Sequence, residues 1–109
     1  MSHVRAAETR EIPKGSMKDV KLRGKELLIV NLDGAYYAME SRCPHAKGDL
    51  SQGTLEGNTL TCPRHGSKFD VKTGKAISGP KILFLRIGVR DLQSYEARVE
   101  GDEVLIKME

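Results

Sequence analysis

Hairpin signals most constrain what this chain can fold into. Asp33-Gly34 stands between two apolar segments, residues 27–32 and 35–39, and that dipeptide favours the tight turn that joins antiparallel strands. Gly101-Asp102 plays the same part between residues 95–100 and 103–108, and Arg23-Gly24-Lys25 marks a turn after residues 17–22. Eleven glycines punctuate short segments of this kind, and no stretch repeats at the helical period. Residues 8–14 offer at most one helical turn before Gly15. The pattern predicts an all-β fold, a small antiparallel sandwich or barrel.

A chain of 109 residues is too short for two independent cores, so residues 1–109 are expected to form a single domain. The apolar runs at residues 27–30 and 82–85 are four residues each, whereas a membrane helix needs roughly 20. No membrane span is expected. Residues 1–10 lack the apolar stretch of a secretory leader. Two cysteines are too few for a secreted disulfide scaffold, so a reducing compartment, the cytoplasm, is expected, with the thiols used for chemistry. There is no Trp and there are five aromatics, which leaves Leu, Ile and Val to build the core, with Met17, Met39 and Met108 as filler. His3 is expected to be solvated, and of Tyr36 and Tyr37 one is expected to face the core. The net charge of +3 is too mild to argue for nucleic acid.

Residues 42–80 differ from the rest. They are rich in Gly, Pro, Ser and Thr, yet they hold both cysteines and two of the three histidines. A long, weakly patterned insertion in a compact domain is usually functional. Its two boxes are Cys43-Pro44-His45 and Cys62-Pro63-Arg64-His65, that is C-x-H, sixteen residues, then C-x-x-H. Each half offers one thiolate and one imidazole within a turn, as two loops closing on one metal centre would. A Cys2His2 zinc site is chemically reasonable, although zinc modules usually pair cysteine with cysteine. A Cys–His nucleophile needs only one such pair, and a Cys43–Cys62 disulfide leaves both histidines unexplained. A [2Fe–2S] cluster with two histidines on one iron accounts for all four residues.

On these boxes the chain resembles the Rieske ferredoxin family. The second box continues through Gly66-Ser67-Lys68-Phe69-Asp70 to Thr73-Gly74 and later Ser78-Gly79-Pro80. The resemblance implies antiparallel sheets with an inserted cluster-binding subdomain of two hairpin-like loops, about residues 42–80. It implies that Cys43 and Cys62 hold the buried iron and that His45 and His65 hold the outer one. It further implies that Gly66 lets the second loop turn tightly, that Ser67 donates to a bridging sulfide, and that Pro80 lies in a covering loop. High-potential members carry a disulfide between the loops, at the positions of Gly48 and Arg64, and a tyrosine where Phe69 stands. This chain has neither. Residues 81–91 hold Ile82, Leu83, Phe84, Leu85, Ile87 and Val89 and are expected to be core or an added strand.

The function that follows is one-electron transfer. With neutral imidazoles the cluster is uncharged when oxidised and carries −1 when reduced, which lifts its potential into a range of roughly −150 to +300 mV. Without the loop disulfide and the tyrosine, the lower half of that range is expected. No acid–base pair or nucleophile motif argues for an enzyme. The resemblance implies a ferredoxin between a reductase and a terminal oxygenase, a variant being a small subunit of a larger reductase such as nitrite reductase. A zinc-stabilised interaction module is the alternative. Arg42, Lys47, Arg64, Lys68, Lys72 and Lys75 outnumber Asp49, Glu56 and Asp70 by three, which suggests an acidic docking face on the redox partner.

Overall fold

The computed structural model describes residues 2–44, 48–64, 66–78, 81–82, 85–86 and 90–108. Its elements are β1 (Ser2–Glu8), a 3-10 turn (Thr9–Glu11), β2 (Met17–Leu22), β3 (Lys25–Leu32) and β4 (Ala35–Glu40), then a second 3-10 turn (Leu50–Gln52). After these come β5 (Thr54–Glu56), β6 (Thr59–Thr61), β7 (Lys68–Asp70), β8 (Ala76–Ser78), β9 (Lys81–Ile82) and β10 (Leu85–Arg86). The chain ends with β11 (Ser94–Tyr95), β12 (Ala97–Glu100) and β13 (Glu103–Met108). All pairings are antiparallel, so the all-β expectation is met.

One sheet, in the order β11-β4-β3-β2, lies between two others. Leu27, Ile29 and Ala38 on one face join Ala7, Ile12, Val104, Ile106 and Met108 in a core shared with the β1-β13-β12 sheet. Leu28, Val30 and Met39 on the opposite face join Leu50, Leu60, Phe69, Val71 and Leu92. This explains why β3 reads as an unbroken apolar run and not as an alternating one: both its faces are covered. The turn from β3 to β4 has Asp33 at φ 55° and Gly34 at φ 98°, the two left-handed residues of the hairpin turn expected there.

Several expectations are corrected. Tyr36 and Tyr37 are both half-buried, one against each core. The Tyr36 hydroxyl lies within 3.2 Å of the Thr9 and Ile12 carbonyls. His3 is not a solvated tail residue: it sits on β1, opposite Lys107, with Nε2 3.3 Å from Glu96 Oε2. Residues 95–100 are not one strand, because Glu96 separates β11 from β12 and its carbonyl accepts from Lys107 N–H. Residues 42–80 are not weakly structured throughout: the described part contains a four-stranded sheet, β5-β6-β7-β8. In segment 81–91, β9 pairs with β10 as an added hairpin, while the core placement expected for Leu83, Phe84, Ile87 and Val89 lies outside the described residues. The methionines fill the core as expected, Met39 and Met108 fully and Met17 in part.

A carboxylate clamp closes the segment after β10. Arg90 donates from Nη1 to Glu40 Oε1 (2.7 Å) and from Nη2 to Oε2 (2.9 Å), and Gln93 N–H donates to Oε1 (2.6 Å). The guanidinium bond is the main reason the Glu40 carboxyl titrates below its usual range. A group with a depressed folded pKa contributes stability above its unfolded value, about 4.3, and loses it as pH falls through the folded value. Glu40→Gln should therefore lower stability at pH 7 by about 1 kcal/mol, a charged bidentate bond discounted for its exposure. Thermal melts of wild type and variant should converge below about pH 4. A gap that persists undiminished at pH 3 would show that the charge is not the cause.

Candidate metal centre

Both cysteines stand on loops that the β-ladders close. In the first loop Arg42 bridges Asp49, Leu50 N–H donates to the Ser41 carbonyl (2.9 Å), and Cys43 N–H donates to the Gly48 carbonyl (2.9 Å). The second is the hairpin between β6 and β7, whose last pair is Thr61 with Lys68. There Cys62 N–H donates to the Ser67 carbonyl (2.8 Å), and Gly66 N–H returns to the Cys62 carbonyl (3.2 Å) with Gly66 at φ 76°. Each loop is thus closed at its foot by backbone bonds from its cysteine.

The two loops meet. A methyl group added to Gly48 would lie 2.9 Å from Cys62 Sγ and 3.5 Å from Arg64 Cβ, so the first loop packs directly on the thiol of the second. Cys43 and Cys62 are 1% and 2% exposed. They are not disulfide-bonded, which removes the bridge considered from the sequence. The Arg64 Cβ distance also explains how a disulfide fits at these positions in high-potential members, since Cβ atoms of a disulfide stand about 3.8 Å apart.

Ser67 is 1% exposed, and its Oγ has no hydrogen-bond partner among the described residues. A buried hydroxyl left unpaired costs about 1–3 kcal/mol. Such a group on a residue whose carbonyl is bonded to Cys62 N–H is accounted for by an acceptor bound there. An anionic sulfide meets that need, so these residues fit a sulfur-bridged cluster. Phe69, fully buried on β7 opposite Leu60, offers no hydroxyl of its own. His45, His65 and Pro80 lie outside the described residues.

The charge around the loops is divided in a way the sequence did not show. Arg42 lies 3.5 Å from Glu26, and Asp19 and Asp49 stand near enough to feel it. Burial raises the Asp19 pKa, and repulsion from Asp49 and Glu26 adds to the rise. The Ser51 hydroxyl holds Asp49 below its usual value. The base of the first loop therefore has one cation against three carboxylates, and Arg42 adds nothing to a basic surface. Lys68, Lys72 and Lys75, on the side of β7 and β8, are exposed.

Comparison with known proteins adds an independent line. The family model for the Rieske [2Fe-2S] domain matches residues 2–96. A ferredoxin component of naphthalene 1,2-dioxygenase/salicylate 5-hydroxylase systems from Ralstonia is 36% identical over 104 residues, covering 95% of this chain and 93% of that protein. A ferredoxin component of a naphthalene 1,2-dioxygenase system from Pseudomonas aeruginosa is 35% identical over 98 residues, covering 90% and 88%. Among solved structures, the ferredoxin of carbazole 1,9a-dioxygenase from Nocardioides aromaticivorans superposes with a TM-score of 0.81 at 28% identity, over 97% of each chain. With two buried cysteines on facing loops, an orphaned serine hydroxyl beside them and these relatives along nearly its whole length, the chain belongs to the Rieske [2Fe-2S] family and its cofactor is one Rieske-type [2Fe–2S] cluster.

Proposed function

We propose that this chain is the electron-carrying ferredoxin of a multicomponent dioxygenase system acting on aromatic compounds, passing single electrons from a reductase to a terminal oxygenase. The observation that carries the reading is the near end-to-end match to ferredoxin components of such systems. A relative of known structure also occurs as oxidised ferredoxin in complex with reduced oxygenase, at 28% identity and a TM-score of 0.82. On this reading the chain is a carrier and not itself the oxygenase. Residues 1–109 act as one domain, no described helix is long and apolar enough to cross a membrane, and the cytoplasm is the compartment that suits two reduced cysteines.

When bound, the cluster accepts and releases one electron. Cys43 and Cys62 would hold one iron through their thiolates, and His45 and His65 would hold the other through their imidazoles. Ser67 would donate its hydroxyl to a sulfide and Gly66 would shape the second loop, while Pro80 is assigned to a covering loop by the resemblance alone. The test is chemical and electrochemical. Purified protein should contain two irons and two acid-labile sulfides. Its potential should be flat at low pH and then fall by about 59 mV per unit for each proton coupled to the one-electron step. The fall belongs to the histidine pair, since both rings would share one iron. Zinc in place of iron would overturn the reading, and a potential flat into strong alkali would overturn histidine ligation.

Ser67→Ala should lower the potential. A donor to the cluster favours the reduced, more negative state, and a hydrogen bond to a charged acceptor is worth about 1.5–3 kcal/mol. About half of that distinguishing the two oxidation states corresponds to roughly 30–65 mV for one electron. Cyclic voltammetry of the variant checks this, and an unchanged value would show that the hydroxyl points away from the cluster.

A further inference from the structure

We propose that the β8 edge, centred on Ile77, is the surface on which the terminal oxygenase docks, by means of an apolar pit within an acidic rim. This rests on the carrier reading above and adds the place and chemistry of the contact. Among the described residues, the two large apolar side chains most exposed are Ile77, at 56%, and Val99, at 45%. A single exposed apolar residue is unremarkable by itself. Ile77 is set apart by how it comes to be exposed.

It is the extra residue of a β-bulge. Lys68 pairs with Ser78 and Phe69 with Ala76, so Ile77 falls between the two pairs with no partner on β7. Ala76 and Phe69 pack inward against the core, whereas the inserted residue turns out. Bulges at sheet edges commonly re-aim a side chain in this way. Strand β8 is also terminal in its sheet, with β7 as its neighbour among the described residues. Lys68 directly follows Ser67, the residue with the orphaned hydroxyl, and Ile77 lies one strand across from it, a spacing of about 4.8 Å. The exposed isoleucine is therefore close to the cluster loops and not at a random point on the surface.

Its surroundings define the partner. Residues 66–78 contain Lys68, Lys72 and Lys75 against Asp70 alone, a local excess of +2, and the three lysines are exposed. The Asp70 carboxylate is turned to its own loop, accepting from Lys72 N–H (3.0 Å) and Thr73 Oγ1 (3.3 Å). An apolar anchor within a cationic rim fits an acidic face with a small apolar recess: the anchor supplies affinity and the rim supplies steering. Val99 has no such setting. It lies between Arg98 and Glu100, which pair with each other, on β12 of the sheet that shares no core with the insertion.

The test uses the full chain with its cluster, reduced with dithionite and mixed in stopped flow with the oxygenase component of the Ralstonia systems, whose own ferredoxin is 36% identical. Ile77→Asp should slow oxidation by the oxygenase at least about tenfold. The double change Lys68→Glu, Lys75→Glu should do the same and abolish the decline of the rate with added salt. Val99→Asp should match wild type, and all variants should reduce ferricyanide, a small acceptor that needs no docking, at the wild-type rate. Normal oxygenase reduction by both the Ile77 and the lysine variants would overturn the docking site and leave the carrier reading intact. A wild-type protein that reduces ferricyanide but not the oxygenase would overturn the assignment to this oxygenase class and the docking surface with it. Cluster content and potential, measured for each variant, separate loss of docking from damage to the centre.

Discussion

Gly74→Ala should lower the melting temperature by about 15–30 °C. Gly74 has φ 80°, a conformation that costs a residue with a Cβ about 1–2 kcal/mol. The space is closed as well: a methyl group there would lie 2.4 Å from the Leu92 carbonyl oxygen and 3.3 Å from its carbon. Neither backbone can yield easily. Gly74 N–H donates to the Asp70 carbonyl and its own carbonyl accepts from Leu92 N–H, both at 2.7 Å. Moving Leu92 away breaks the second bond, worth about 1 kcal/mol, and loosens a side chain buried between the central sheet and the insertion, worth up to about 2 kcal/mol. The total is about 4 kcal/mol, a large share of the 5–15 kcal/mol typical of a domain, and each kcal/mol moves the melting point of a domain this size by about 4–8 °C. Gly57 supplies the control. It has φ 58° with open space around it, so Gly57→Ala should cost only the conformational part. Equal losses in the two variants would show that the approach to Leu92 is not what holds residue 74.

Local chemistry accounts for the parts of this fold that were legible in the sequence. The turn at Asp33-Gly34 follows from the φ values those residues tolerate, and β2 and β13 occur at the bounds their alternation suggests. Strand β1 was not legible. Its sequence, Ser-His-Val-Arg-Ala-Ala-Glu, has no strand pattern, and it is extended because β13 pairs with it along its length, with an irregularity between Arg5 and Ala7. Strands β5 to β8 were missed for another reason. At three residues each they are too short to show a period, and their order comes from packing Leu60, Phe69 and Val71 on the central sheet. The clamp between Glu40 and Arg90 joins residues fifty positions apart, which no local pattern announces.

At the site, ligand chemistry fixes residue type and spacing, which is why the two boxes stand out in the sequence; the structure brings Cys43 and Cys62 to facing loops, and His45 and His65 lie outside the described residues. The role given to Ser67 rests on resemblance, and a buried hydroxyl with no partner among the described residues is compatible with it. The sequence overcounted the basic surface. Arg42 is outnumbered by Asp19, Glu26 and Asp49 around it, since charges that are near in space are not those near in the chain. Ile77 carried one faint signal, an isoleucine between lysine-bearing segments, but its exposure comes from a bulge that only the pairing of β7 with β8 reveals.

Removing the iron should open the ligand loops alone and leave the rest of the insertion folded. The loops and the sheet beneath them are held differently. Strands β6 and β7 bury Leu60 and Phe69 completely, and with Val71 and Leu50 these pack against Leu28, Val30 and Met39 of the central sheet. That burial needs no metal. The loop ends have only a few backbone bonds, Cys43 to Gly48 in the first and Cys62 to Ser67 with Gly66 to Cys62 in the second. No disulfide ties them, so ligation supplies most of their remaining order. Without it Ser67 also keeps a buried hydroxyl with nothing to bond, a further push toward opening. Trypsin reads the difference directly, because Arg42, Lys47 and Arg64 place cleavable bonds in the two loops, while Lys72 and Lys75 lie by the β7–β8 turn. Cleavage after residues 42, 47 and 64 should rise roughly a hundredfold on iron removal, the effect of losing about 3 kcal/mol of protection against local opening. Cleavage after 72 and 75 should change little, and the far-ultraviolet dichroism should keep its strand signal. Equal cleavage of apo and holo protein would mean that the loops support themselves, and rapid loss of bonds 72 and 75 as well would mean that the cluster holds the whole insertion together.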